Sequence, residues 1–188
     1  MHRVLFTKEQ IDRIVRRLAD EINAFYGPDV STEERLLVVG VLNGAFVFAA
    51  DLVRCLGRCV DIDFIRVSSY DTAKISSGTV RLTAEPKFNP KGRRVLVVED
   101  LIDTGRTLRY VVDYFRLRGA ASIEIAVLLD KTERREIPVP CRFVGATVEN
   151  VFVCGYGLDG GGSYAGYPQV YAVNDSEGAV KEKIDRTA

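Results

Sequence analysis

The residues best equipped for chemistry lie in one run, Val95-Leu96-Val97-Val98-Glu99-Asp100-Leu101-Ile102-Asp103-Thr104-Gly105-Arg106-Thr107-Leu108. Four apolar residues lead into two adjacent carboxylates, a third carboxylate follows, and a Thr/Gly/Arg/Thr segment closes the run. An unbroken apolar stretch of this kind reads as a strand buried on both faces, as in a parallel sheet. Leu108, Tyr110, Val111, Val112 and Phe115 then fall into a helical pattern, so Asp103 to Thr107 is expected to be the strand-to-helix turn. Such a turn offers backbone N–H groups, two hydroxyls and the positive end of a helix dipole, which together suit a phosphate monoester. Glu99 and Asp100, at the strand's carboxyl end, can accept hydrogen bonds from vicinal hydroxyls. Three carboxylates so close together would repel one another without a polyol or metal partner. The segment thus pairs a clamp for a sugar diol with a cradle for its phosphate.

The elements that must position this run alternate along the chain. Thr7-Lys8-Glu9-Gln10 has the form of a capping box, and Ile11, Ile14, Val15, Leu18, Ala19, Ile22 and Phe25 follow at helical spacing as far as Gly27-Pro28. Leu36 to Val41 reads as a buried strand, Asn43-Gly44 as a turn and Ala45 to Leu56 as a helix. Asp61 to Val67, Thr79 to Leu82 and Ile123 to Leu129 read as further strands. Ser68 to Gly78 is polar and expected to be mobile, and Pro138-Val139-Pro140 is expected to be an extended linker. Strands alternating with helices imply βαβ units, a parallel sheet and right-handed crossovers. Ligands of such sheets bind at the carboxyl ends of the strands, which places Asn43-Gly44, Asp100 to Thr107 and Lys131 on one rim.

Composition narrows the function classes. At 188 residues the chain can bury a sizeable core as one domain. Lys+Arg and Asp+Glu both total 26, which removes a net electrostatic argument for nucleic acid or a membrane surface. No stretch approaches the roughly 20 apolar residues that span a bilayer, and the first residues lack the apolar run of a signal peptide, so a cytoplasmic location is expected. Cys55, Cys59, Cys141 and Cys154 match no common zinc spacing, and His2 is the only histidine, so buried reduced thiols are expected. Gly155-Tyr156-Gly157-Leu158-Asp159-Gly160 fits a dinucleotide fingerprint literally. Its sequel, Gly161 to Pro168, cannot start a stable helix, which argues against that function. A Walker A sequence is absent.

The run Glu99-Asp100-Leu101-Ile102-Asp103-Thr104-Gly105-Arg106-Thr107 resembles the phosphoribosyl-diphosphate signature of the type I phosphoribosyltransferases, in the form of their 6-oxopurine (hypoxanthine-guanine) branch. The resemblance extends from about Thr7 to Tyr171. It implies an α/β fold with a central, mostly parallel sheet flanked by helices and a small base-binding hood. A single domain would cover 1–188, with its core at about 30–135 and its hood formed by the N-terminal segment and about 136–175. The implied activity is purine salvage. Phosphoribosyl diphosphate would give its 5-phosphoribosyl group to hypoxanthine or guanine in a magnesium-dependent reaction, yielding IMP or GMP and pyrophosphate.

Residue roles follow from the same resemblance. Glu99 and Asp100 would hold the ribose diol, directly or through metal-bound water, and Asp103, Thr104, Gly105, Arg106 and Thr107 the 5′-phosphate. Asp103 would also exchange a proton with purine N7 as N9 attacks the sugar. Leu42-Asn43-Gly44 matches the pyrophosphate loop, where the family often carries lysine at the position of Asn43 and a cis peptide before it. Ser69-Tyr70 matches the start of a catalytic lid. Lys131 would donate to the exocyclic oxygen of the base and disfavour adenine. Phe152 would stack on the purine, and main-chain groups at Val153 would meet the base edge. Asp159 would lie near magnesium, so the implied metal residues are Glu99, Asp100 and Asp159. A homo-oligomer, dimer or tetramer, is implied by family analogy alone. One departure stands out: Ala165 occupies the position, six residues after Asp159, where the family commonly has a pyrophosphate-binding arginine.

Two other readings use the same fold. A phosphoribosyltransferase for another acceptor, such as xanthine, is kept open by Ala165 and Gly160-Gly161-Gly162. An RNA-binding regulator, like the pyrimidine-operon attenuation proteins, would need a basic face, against which the charge balance argues.

Overall fold

A computed structural model of the chain describes residues 2–28, 35–69, 80–158 and 163–173. The capping box forms as its sequence suggests. The Thr7 hydroxyl accepts from the Gln10 N–H (3.3 Å) and the Gln10 side chain accepts from the Thr7 N–H (2.8 Å). This starts helix α1 (Lys8–Tyr26), which stops at Gly27 in a positive-φ conformation (68°). Before it comes β1 (His2–Phe6). After it come β2 (Leu36–Leu42), α2 (Phe46–Leu56), β3 (Val60–Ser69), β4 (Val80–Ala84), β5 (Arg94–Ile102), α3 (Arg106–Leu117) and β6 (Ser122–Asp130). The chain continues through β7 (Phe143–Thr147), β8 (Phe152–Cys154) and β9 (Val170–Val173), with short 3₁₀ turns at Thr132–Arg134 and Ser163–Gly166.

Six strands form one sheet in the order β4-β3-β2-β5-β6-β7, parallel throughout except for the antiparallel edge pair β3–β4. The apolar runs of the central strands feed two cores by simple alternation. Leu36, Val38, Leu96, Val98, Ala126 and Leu128 face α1 and α2. Leu37, Val39, Val95, Val97, Ile125 and Val127 face the other way, toward Leu108, Val111 and Phe115 of α3. Both faces of the sheet are therefore covered, as an all-apolar strand requires.

A second, antiparallel sheet has the order β1-β9-β8. It corrects the expected boundaries in two ways. β1 joins the small sheet, but α1 packs on the large one, so only the first strand of the N-terminal segment belongs to the hood. β7 lies within 136–175 yet is the edge strand of the large sheet, paired in parallel with β6. None of the four cysteines forms a disulfide, but only Cys154 is buried, and Cys59 is exposed rather than buried.

Phe48 projects from α2 and has no exposed surface. Phe48→Ala is expected to destabilise the protein by about 3–5 kcal/mol through lost transfer energy and the cavity left behind. Urea denaturation of the two proteins would measure it.

Candidate active site

β2 leads through α2 to β3 on one side, and β5 leads through α3 to β6 on the other. The direction of winding reverses between β2 and β5, and the crevice beyond such a switch point is where open α/β sheets bind ligands. A cavity of about 1090 Å³ opens there.

Its floor is the end of β5. The strand runs to Ile102, so Glu99 and Asp100 lie among its last residues and the turn begins at Asp103, as the spacing implies. Glu99 is buried, and its carboxyl group is held well above the ordinary value of 4.5 by that burial and then by the charge of Asp100. Burial raises Asp100 as well. The Asp100 carboxylate accepts from the Leu101 N–H (2.8 Å) and packs so closely on Gly44 that a Cβ there would collide with it. Leu42, Asn43 and Gly44 line the same cavity, and the Leu42–Asn43 peptide is cis.

The turn from β5 to α3 forms a second wall through Asp103, Thr104, Gly105 and Thr107. Gly105 has φ 88°, and a Cβ on it would strike the Ile137 carbonyl. The chain beyond β6 folds back over this turn, with the N–H groups of Glu136 and Ile137 both donating to the Thr104 carbonyl (3.0 Å each). In the first turn of α3 the Arg106 N–H donates to the Thr104 hydroxyl (3.4 Å), while Gly105 at the N-cap has no side chain to cap the N–H groups that follow, which remain available to an anion. Arg106 differs from its neighbours. It is the first residue of α3, and its guanidinium turns away to Glu136 (2.6 Å) rather than lining the cavity.

The register of β5 against β6 sets Ile102 opposite Asp130, and the next residue, Lys131, donates its N–H to the Ile102 carbonyl (2.9 Å). The Lys131 side chain, only 6% exposed, lines the cavity beside Asp103. Burial lowers its pKa, and the charge of Asp103 opposes that shift. The same cavity is lined by Phe152, 49% exposed, and buried Val153. β8, which carries both, is an edge strand of the small sheet, so one row of its main-chain groups is left unpaired by that sheet.

The fold thus gathers Leu42, Asn43, Gly44, Glu99, Asp100, Asp103, Thr104, Gly105, Thr107, Lys131, Phe152 and Val153 around one cavity. Tyr70, Asp159 and the Ser69 side chain lie outside the described residues. Ala165 belongs elsewhere. It lines a second cavity, of about 810 Å³, together with Phe46, Asp51, Tyr156 and Tyr167. Arg134, Asn150 and Leu158 also line the first cavity and were not anticipated. For Arg134 a signal existed: it stands three residues after Lys131, the period of a 3₁₀ turn.

Raised carboxyl groups tie stability to pH in a defined direction. Between the ordinary Glu value and the higher native one, the folded protein binds the extra proton. The stability that Glu99 contributes is full below pH 4.5 and is lost as pH rises through its native value. Glu99→Gln is therefore expected to flatten the decline of urea midpoints between acid and neutral pH. An unchanged slope would count against a buried, protonation-prone Glu99.

The chain matches the family described as phosphoribosyl transferase domain over residues 5–160. It is 41% identical to the hypoxanthine-guanine phosphoribosyltransferase of Aquifex aeolicus over 173 residues, 92% of this chain and 95% of that protein. It is 42% identical to the hypoxanthine phosphoribosyltransferase of Haemophilus influenzae over 156 residues, 83% of this chain and 86% of that protein. The crystal structure of a hypoxanthine phosphoribosyltransferase from Staphylococcus aureus aligns with a TM-score of 0.84 at 32% identity, covering 92% of this chain and 91% of that one. With a doubly covered sheet and a carboxylate-floored crevice at its switch point, this chain belongs to the phosphoribosyltransferase family, in its hypoxanthine-guanine branch.

Proposed function

We propose that the protein salvages 6-oxopurines, transferring the 5-phosphoribosyl group of phosphoribosyl diphosphate to hypoxanthine or guanine. IMP or GMP and pyrophosphate are the products. The observation that carries this reading is that one cavity is lined by Glu99, Asp100, Asp103, Thr104, Gly105 and Thr107 together with Lys131, Phe152 and Val153.

In this reading the turn from Asp103 to Thr107 takes the 5′-phosphate, and binding there orients the reacting carbon. Glu99 and Asp100 accept from the ribose hydroxyls. Their negative charge favours the cationic character that develops on the sugar as the bond to pyrophosphate breaks. Leu42, Asn43 and Gly44 meet the diphosphate. Phe152 stacks on the purine, an interaction worth about 1–3 kcal/mol. Main-chain groups at Val153 read the base edge, and Lys131 donates to its exocyclic oxygen. Adenine presents an amino group there and offers the ammonium no acceptor. Asp103 takes the N7 proton as N9 attacks, and returns it in the reverse direction.

The donor set suits magnesium. Two adjacent carboxylates, both pushed toward protonation by burial, gain from a neighbouring cation. Among the described residues no three His, Cys, Asp or Glu side chains form a cage. Magnesium is commonly held by one or two carboxylates together with substrate phosphates. Glu99 and Asp100, with Asp159, would hold Mg2+, which when bound supplies charge neutralisation for the departing pyrophosphate. A cytoplasmic location and assembly into a dimer or tetramer complete the proposal. Among the described residues no helix is long and apolar enough to cross a membrane.

A magnesium-dependent assay with hypoxanthine, guanine, xanthine, adenine and uracil tests this function. Nucleotide is expected from the first two, and turnover restricted to another base would overturn the assignment. Asp103→Asn should lower kcat by about 10²–10⁴-fold while leaving the KM for phosphoribosyl diphosphate nearly unchanged; undiminished turnover would remove Asp103 from proton transfer. Lys131→Ala should narrow the gap in kcat/KM between hypoxanthine and adenine, and an unaltered ratio would make the lysine a bystander.

A further inference from the structure

One charged contact in the cavity has no part in the chemistry above. Arg134 Nε lies 2.7 Å from Asp103 Oδ1. That oxygen is buried and accepts no aligned hydrogen bond, so the charge of the guanidinium is what compensates it. The Asp103 side chain is nonetheless 41% exposed. With Oδ1 buried, the oxygen open to the cavity is Oδ2. The two carboxylate oxygens are therefore unlike, one held and one presented.

Local structure puts Arg134 there. Lys131 caps the 3₁₀ turn Thr132–Arg134, and the Arg134 N–H donates to the Lys131 carbonyl (3.2 Å). That bond brings the end of the turn back to Lys131, and both cations line the cavity. Nearby carboxylates do not compete for Arg134, because Arg135 pairs with Asp130 and Arg106 with Glu136.

We propose that Arg134 is the positioning residue for Asp103, clamping Oδ1 so that Oδ2 meets the ring N–H of the purine. This deepens, and rests on, the reading of Asp103 as proton acceptor. The N7 proton passes to Oδ2 while the N9 lone pair forms the bond to the anomeric carbon and the bond to pyrophosphate oxygen breaks. Arg134 keeps its own proton throughout, since a guanidinium does not titrate in this range. The clamp also keeps Lys131 free. Without Arg134, Lys131 is the cation left beside Asp103 among the described cavity residues, and pairing between the two would withdraw both from the base.

Arg134→Ala and Arg134→Lys, made in the wild-type and Asp103→Asn backgrounds, test this. Arg134 is half-exposed, so the variants should fold, which circular dichroism would check. Arg134→Ala should lower kcat roughly 10- to 100-fold, the scale of a misplaced catalytic group, with the KM for phosphoribosyl diphosphate little changed. Arg134→Lys should recover most of that loss. In the Asp103→Asn background, Arg134→Ala should cost no more than about twofold, because the two residues act as a unit. A crystal structure of Arg134→Ala should show the Asp103 carboxylate turned toward Lys131. An equal loss in both backgrounds, or an Asp103 that keeps its orientation without Arg134, would overturn the proposal. If the wild-type protein used no base at all, the functional reading would fall, and the crystal structure alone would decide whether the clamp exists.

Discussion

Parallel pairing of β5 with β2 on one edge and β6 on the other, under helices on both faces, shuts water out along most of its length. Val95 to Val98 can only be apolar there, and polar chemistry is confined to the strand's carboxyl end. Glu99 and Asp100 sit where that boundary falls. Their burial makes the ionised pair costly when alone and receptive to hydroxyl donors and a cation. The strand that builds the core is thus the strand that delivers the reactive groups.

Charge in the cavity is divided by the order of strands. Carboxylates line the β5 floor, and both cations, Lys131 and Arg134, come from the residues after β6. The β5–β6 register keeps this division from collapsing into a neutral mixture by fixing Lys131 against Ile102. The hood adds the apolar component. β8 is held in place by β9, which in turn pairs with β1, so Phe152 depends on a strand from the opposite end of the chain.

The sequence disclosed the central strands and helices because burial on two faces forces an unbroken apolar run, and a capping box announces α1 chemically. It was silent on β1, β7 and β9. These strands have only four or five residues, too few for periodicity to separate strand from loop. Their pairing is non-local, which no window of sequence contains. Ala165 shows the same limit from the other side. Its place in a motif suggested a gap in the pyrophosphate site, whereas its 3₁₀ turn lines a different cavity.

By itself the sequence determined the chemistry on offer: three carboxylates, two hydroxyls and a glycine turn between a buried strand and a helix, a pattern set by local spacing. Tertiary structure alone decided which partners face that chemistry. Arg106, inside the motif, is drawn off to Glu136, while Arg134, outside it, reaches Asp103. The physical reason is that ion pairs depend on distance through space, and the chain returning over Thr104 sets those distances after the strands have paired.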